Sequence, residues 1–203
     1  NVNVNKDRLT ILGANAGIAP TSLTRGAARV EPSKVAGFVV SASAITIDGF
    51  DIDKFSATAS TNQKITVADA NLSNLTFKNI VVLSTAGAPS GSGDGTFHIS
   101  ASGSRVIKNV VIDSVLVEQR ANRPTAMIID QVENLTVTNS EFYGAKAAST
   151  YTDAVKVGSK GSFGLKGEVL FDNNIFENYH QYLLWLQKMH TSNVVVSNNV
   201  FRN

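Results

Sequence analysis

Few side chains in this chain have the chemistry to bind or turn over a small polar ligand, and several of them gather around residues 151–187. Lys156 is the first. A lysine set among other cations or partly desolvated can act as a Brønsted base. The proton beside a uronate carboxylate is the kind it would remove. His98 is a second candidate for moving a proton. Trp185, Tyr151 and Tyr182 offer aromatic faces, and Asp153 lies close by in sequence. Aromatic faces beside charged groups suit a sugar, which presents both C–H surfaces and hydroxyls. Each residue also has a plain structural reading. Lys156 would be a solvated lysine on an exposed strand, and His98 an exposed or loop-bonded histidine. Trp185 would be either an open platform or a ring covered by the 143–153 loop.

These residues cooperate only if the fold brings them together, and the elements available to do so are repeats. One five-residue pattern recurs seven times. It reads Leu9-Thr10-Ile11-Leu12-Gly13, Ile45-Thr46-Ile47-Asp48-Gly49, Leu75-Thr76-Phe77-Lys78-Asn79 and Val110-Val111-Ile112-Asp113-Ser114. It continues as Leu135-Thr136-Val137-Thr138-Asn139, Val169-Leu170-Phe171-Asp172-Asn173 and Val194-Val195-Val196-Ser197-Asn198. The first and third positions are always apolar, and the second and fourth are mostly polar. That alternation places one set inward and the other outward on a strand. Gly, Asn or Ser at the fifth position marks a one-residue corner, because Gly and Asn accept left-handed backbone angles. A second short strand follows, with Ile52, Val82, Val117, Phe142, Phe176 and Phe201 inward. Phe142, Phe176 and Phe201 are expected to stack. Asn79, Asn139, Asn173 and Asn198 are expected to form one ladder, with Ser114 standing in where Asn is absent.

A third strand precedes each copy after the first: Phe38-Val39-Val40, Ile65-Thr66-Val67, Phe97-His98-Ile99, Met127-Ile128-Ile129, Val155-Lys156-Val157 and Leu184-Trp185-Leu186. Its outward column is Val39, Thr66, His98, Ile128, Lys156 and Trp185. In this register Lys156 and Trp185 are neighbours at about 4.8 Å, and His98 lies about 9.6 Å from Lys156. Three strands per repeat, stacked, give an all-β right-handed parallel β-helix of about seven coils, in which only the stack buries its inner faces. The pattern resembles the pectate-lyase-like superfamily, with its internal asparagine ladder, over about residues 8–203. A β-sandwich would not return Asn to the same corner so often.

The chain has 203 residues, a net charge of +2, 43% hydrophobic and 17% charged residues, and no cysteine. It is read as one domain, 1–203, able to bury a core. The small net charge argues against nucleic acid. No apolar run reaches the length of a membrane span, so no membrane insertion is expected. No Met, charged n-region or apolar segment opens the chain, which reads as a mature or trimmed product. The last repeat would leave an open core end, so the domain is read as a fragment of a longer chain, with further chain or another subunit expected to cover that end. The Ser-, Thr-, Asn- and Gly-rich strands and the superfamily resemblance point to a secreted or cell-surface location.

A narrower resemblance lies in the last two repeats. Lys156-Val157-Gly158-Ser159-Lys160, Asp172-Asn173-Asn174-Ile175-Phe176, Tyr182 through Lys188 and Ser197-Asn198-Asn199-Val200-Phe201 look like the layout of the chondroitinase B and alginate lyase family. The resemblance implies that Lys160 or Lys156 is the catalytic base. Where that family carries its catalytic Arg, this chain has Gln187, which supplies neither charge nor proton but could still contact substrate. The family's calcium carboxylates are not evident, and no cofactor is expected. Asp48, Asp51 and Asp53 lack the spacing of a calcium loop and are expected to face solvent and the corner. Two functions follow. One is an extracellular module that binds an acidic polysaccharide along an exposed sheet face, or cleaves it by β-elimination. The other is a non-catalytic structural or adhesive rod, as in a surface protein or phage tail spike.

Overall fold

The computed structural model describes residues 1–21, 35, 37–53, 64–84, 96–119, 125–144, 153–158 and 163–203. Among these residues every regular element is a strand. In chain order they are β1 (Val2–Val4), β2 (Thr10–Leu12), β3 (Phe38–Val40), β4 (Ile45–Asp48), β5 (Asp51–Asp53), β6 (Ile65–Val67), β7 (Ser73–Ser84), β8 (Phe97–Ser100) and β9 (Ile107–Gln119). They continue as β10 (Met127–Asp130), β11 (Val132–Thr138), β12 (Glu141–Tyr143), β13 (Asp153–Val157), β14 (Leu165–Asp172), β15 (Ile175–Glu177), β16 (Tyr182–Leu186), β17 (Met189–Ser197) and β18 (Val200–Arg202). Alternating Val, Ile, Leu and Phe explains why these stretches are extended, since branched and aromatic side chains pack well on a pleated surface.

The strands form two large parallel sheets. One has seven strands in the order β1-β3-β6-β8-β10-β13-β16. The other has eleven, and the repeated pentapeptide lies in it. There each copy pairs with the next, so that Ile11, Ile47, Phe77, Ile112, Val137, Phe171 and Val196 stand in register. Ile52, Val82, Val117, Phe142, Phe176 and Phe201 form a second such column. Apolar residues from both sheets join in one core. Edge-on ring pairs lock them together, Phe38 with Phe50 at 5.0 Å and Phe77 with Phe97 at 6.0 Å. The expected phenylalanine stack is present: Phe142–Phe176 at 5.2 Å and Phe176–Phe201 at 5.1 Å, with nearly parallel rings.

The fifth residue of six of the seven pentapeptides is left-handed, with φ of 78° at Gly49, 52° at Asn79 and Ser114, 51° at Asn139, 55° at Asn173 and 54° at Asn198; Gly13 in the first copy is not, against the expected corner there. The expected ladder of these asparagines differs from what is found. Asn139, Asn173 and Asn198 are exposed. Asn173 bonds to another of them, donating Nδ2–H to Asn139 Oδ1 at 2.8 Å. Asn79, Asn139 and Asn198 instead donate to Asp48, Asp113 and Asp172 of the preceding repeat, at 2.7, 2.7 and 2.8 Å. Of the four, Asn79 alone is buried.

The buried ladder sits one residue later, at Ser140, Asn174 and Asn199. Asn174 Oδ1 accepts from the Ser140 N–H at 3.0 Å, and its Nδ2 donates to Val137 O and Asn199 Oδ1, both at 2.9 Å. Asn199 Nδ2 donates to Phe171 O at 2.8 Å. These side chains satisfy backbone groups that lose their sheet partners where the chain turns. A second left-handed column precedes the pentapeptide at Ala44, Asn74, Asn109 and Asn134. There Asn109 donates to Asn74 and Asn134 to Asn109, each at 2.9 Å, as an external ladder.

Asp48 and Asp51 are also corrected, being buried rather than solvent-facing; the side chain of Asp53 is outside the described residues. After Gly13 the chain crosses the corner. Gly13 N–H donates to Asp48 O, Asn15 N–H to Gly49 O and Gly17 N–H to Asp48 Oδ1. A Cβ on Gly49 would meet Ala16 N at 2.0 Å, so only glycine admits this crossing.

Candidate functional site

The seven-stranded sheet sets the outward column in the predicted register: Val39, Thr66, His98, Ile128, Lys156 and Trp185 pair in turn. Alternation along each strand carries these side chains away from the core. The column is not one open face, however. Ile128 is only 1% exposed although it points outward. The predicted continuous exposed face is therefore interrupted at its middle.

Beyond Ile128 the predicted residues do come together. Lys156 Nζ stands 4.2 Å from the centre of the Trp185 ring. Tyr182 packs against Trp185 with ring centres 4.9 Å apart and planes tilted by 48°. Lys156 Nζ also lies 3.9 Å from Asp153 Oδ2, with side-chain exposures of 27% for the lysine and 5% for the aspartate. The other oxygen, Asp153 Oδ1, accepts the Tyr182 N–H at 3.2 Å. Adjacency of β13 and β16 produces this group, because Asp153 pairs with Tyr182 and Lys156 with Trp185. Burial pushes the Asp153 carboxyl above the usual range, and the Lys156 charge pulls it partly back. The arrangement is an aromatic pair crossed by one cation, with a buried carboxylate behind it.

The remaining predicted residues do not join this group. His98 is separated from Lys156 by the Ile128 strand, and no proton could pass between them directly. It lines a different groove of about 330 Å³, with Thr66, Ser100, Asp69 and Ser102. That groove ends in a clasp, where Asp69 accepts from Arg105 Nε at 2.8 Å and from Ser102 Oγ–H at 2.6 Å. The Arg105 guanidinium holds the Asp69 carboxyl well below the usual carboxylate range, with help from Ser102. Gln187 is exposed just beyond β16. Its carbonyl is packed so closely that a Cβ on Gly158 would meet it at 2.3 Å. Tyr179, one of the polar aromatics near the site in sequence, is buried in the core. Tyr151 and Lys160 lie outside the described residues.

One polar cleft was not anticipated. Ala19, Pro20 and Thr21 stand against Ser114, Asn139, Glu141 and Asn173 around a space of about 230 Å³. Nothing in the repeat signals it, because it needs the excursion after Gly13 to return along the corner. Among the described residues no group of three or more His, Asp or Glu side chains is placed to hold a metal ion. No known protein-family model matches the chain, and no curated protein or solved structure does either.

Proposed function

We propose that the chain is a right-handed parallel β-helix of about seven coils, of the pectate-lyase-like kind, and that it works as a secreted or cell-surface module that holds an acidic polysaccharide. The observation that carries the function is the Tyr182–Trp185 pair crossed by Lys156. Two rings and a cation on one surface provide stacking for a sugar ring and a charge for its carboxylate. The parallel pairing of every successive repeat supports the architecture. Binding is favoured over cleavage. Gln187 stands where the lyase resemblance needs an Arg, and His98 is remote from Lys156.

The test is a panel of uronate oligosaccharides followed by calorimetry, with absorbance of the unsaturated product read in parallel. Trp185→Ala is expected to weaken binding by more than about 1 kcal/mol, as truncation of an aromatic anchor does, while the melting temperature stays unchanged. Equal affinity for the variant and parent across the panel would remove the reading. Growing absorbance would restore the lyase.

A second reading, the structural or adhesive rod, is favoured by the final repeat. Val195, Val196, Val200 and Phe201 are each more than 40% exposed there, and β16, β17 and β18 present unpaired edges. Such edges invite another chain. We infer that further chain or another subunit covers them. Sedimentation at rising concentration tests this, and a monomer at all concentrations would count against a second copy as the cover.

A further inference from the structure

The geometry points to Lys156 as the residue that makes the Trp185 platform selective for sugars bearing a carboxylate, its ammonium covering the indole face until a carboxylate draws it away. This inference rests on the carbohydrate-binding reading above and adds to it the device that selects acidic over neutral sugars.

Three observations carry it. First, the ammonium lies 4.2 Å from the centre of the Trp185 ring, the place that the C–H face of a sugar would have to occupy. A cation over an indole is held by the ring's negative face. Second, the partner carboxylate does not hold the ammonium by a hydrogen bond. Asp153 Oδ2 is 3.9 Å away, beyond hydrogen-bonding distance. An ammonium carries three donors, and here they remain available to an arriving acceptor. Third, Asp153 is itself fixed by the Tyr182 N–H at 3.2 Å. It anchors the charge near the platform without following it.

The consequences differ for two kinds of sugar. A neutral ring can stack on the face of Trp185 that Lys156 covers only by displacing the ammonium, and it offers nothing charged in return. A uronate ring displaces the same ammonium and supplies a carboxylate to pair with it, so the cation–ring contact is exchanged for a charge-assisted hydrogen bond. Lys156 thus opposes neutral ligands and favours acidic ones with one side chain.

Trp185 is the sole tryptophan in the chain, so intrinsic fluorescence reports on this ring alone. The probes are tetramers of galacturonate, glucuronate and mannuronate, each as the free acid and as its methyl ester, which keeps the ring and removes the charge. For the parent protein we expect at least one free acid to shift the emission and to bind about tenfold tighter than its ester. That preference should shrink as salt screens the pair. Lys156→Met should abolish the preference and strengthen ester binding, while Lys156→Arg should keep it. Equal binding of acid and ester by the parent, with both lost in Trp185→Ala by calorimetry, would overturn the selectivity role and leave the platform intact. No emission change with any probe, and calorimetry identical for the parent and Trp185→Ala, would overturn the platform and the inference together. The parent's acid-to-ester ratio alone decides the matter if Lys156→Met fails to fold.

Discussion

Phe176 and Phe201 occupy the same column and are the same residue, yet their surroundings differ. Phe176 is fully buried, with rings on both sides at 5.2 and 5.1 Å. Phe201 stacks on one side only and is 45% exposed. Truncating a buried phenylalanine removes transfer energy and leaves a cavity, so Phe176→Ala is expected to cost about 3–5 kcal/mol. Phe201→Ala removes a half-exposed ring whose site can refill with water, and should cost less than half as much. Urea denaturation of both variants checks the contrast. Equal losses would mean that the last repeat is covered in solution. At the same scale, Trp185 shows what a register can and cannot reveal. Its place beside Lys156 follows from counting along two strands. The folding of the lysine over its ring is a matter of side-chain rotamers, which no pattern of residue types encodes.

The corners decide how one strand passes to the next. Asn174 is buried and bridges three repeats, bonding to Ser140, Val137 and Asn199. Asn174→Ala would leave the Ser140 N–H and the Val137 carbonyl without those bonds, at about 1–3 kcal/mol for each buried group left unpaired. By contrast Asn173→Ala, at the exposed corner, should cost mainly the left-handed preference, about 1–2 kcal/mol. Thermal melts of the two single variants would show the order; a larger loss for Asn173 would place the structural ladder at the corner after all. Gly49 makes a further test. Its φ is 78° and any Cβ there would collide with the Asn15–Ala16 backbone. Gly49→Ala is therefore expected to lose more than about 2 kcal/mol, with hydrogen exchange rising at Gly13, Asn15 and Gly17. Unchanged exchange would show that the crossing segment does not depend on this contact.

Carboxylates tie repeat to repeat across the whole molecule, and this gives its stability a pH dependence. Asp172 accepts from Ser197 Oγ–H at 2.7 Å and Asn198 Nδ2–H at 2.8 Å, which lowers its carboxyl below the usual range. Asp69 is lowered likewise by Arg105 and Ser102. A carboxyl depressed in the native state contributes stability above its unfolded value of about 3.9, and that contribution is lost as pH falls through the native value. Asp153 has the opposite sign. Its raised carboxyl takes up a proton more readily when folded, so its burial costs stability above the ordinary range and the cost is relieved by acid. Two depressed groups against one raised group predict net loosening below about pH 4. Urea midpoints from pH 6 to pH 2.5 measure it, and Asp172→Asn should flatten the slope. A midpoint that rises on acidification would mean that Asp153 dominates.

The positions of the strands, the inward columns and all but the first of the left-handed corners were legible in the chain alone, because each is a local preference repeated along it. Val-x-Ile alternation declares which face is buried whatever lies opposite, and Asn or Gly after it declares the turn. The alignment of His98, Ile128, Lys156 and Trp185 followed from the same period. What the repeat could not convey depends on partners distant in sequence. Asn139 and Asn174 are the same residue type, and only the direction of the side chain at each turn makes one external and the other the interior ladder. The Asn74–Asn109–Asn134 ladder was not foreseen: these residues precede Leu75, Val110 and Leu135, but an Asn there signals no bond until its neighbours are stacked. Asp48 looked like a solvent-facing carboxylate, and tertiary structure buried it by laying the chain after Gly13 across its corner. Ile128 likewise faces outward by register and is covered by packing. Local sequence sets backbone angle and the face of a strand; burial and bonding partners belong to surfaces that exist only once distant parts of the chain have met.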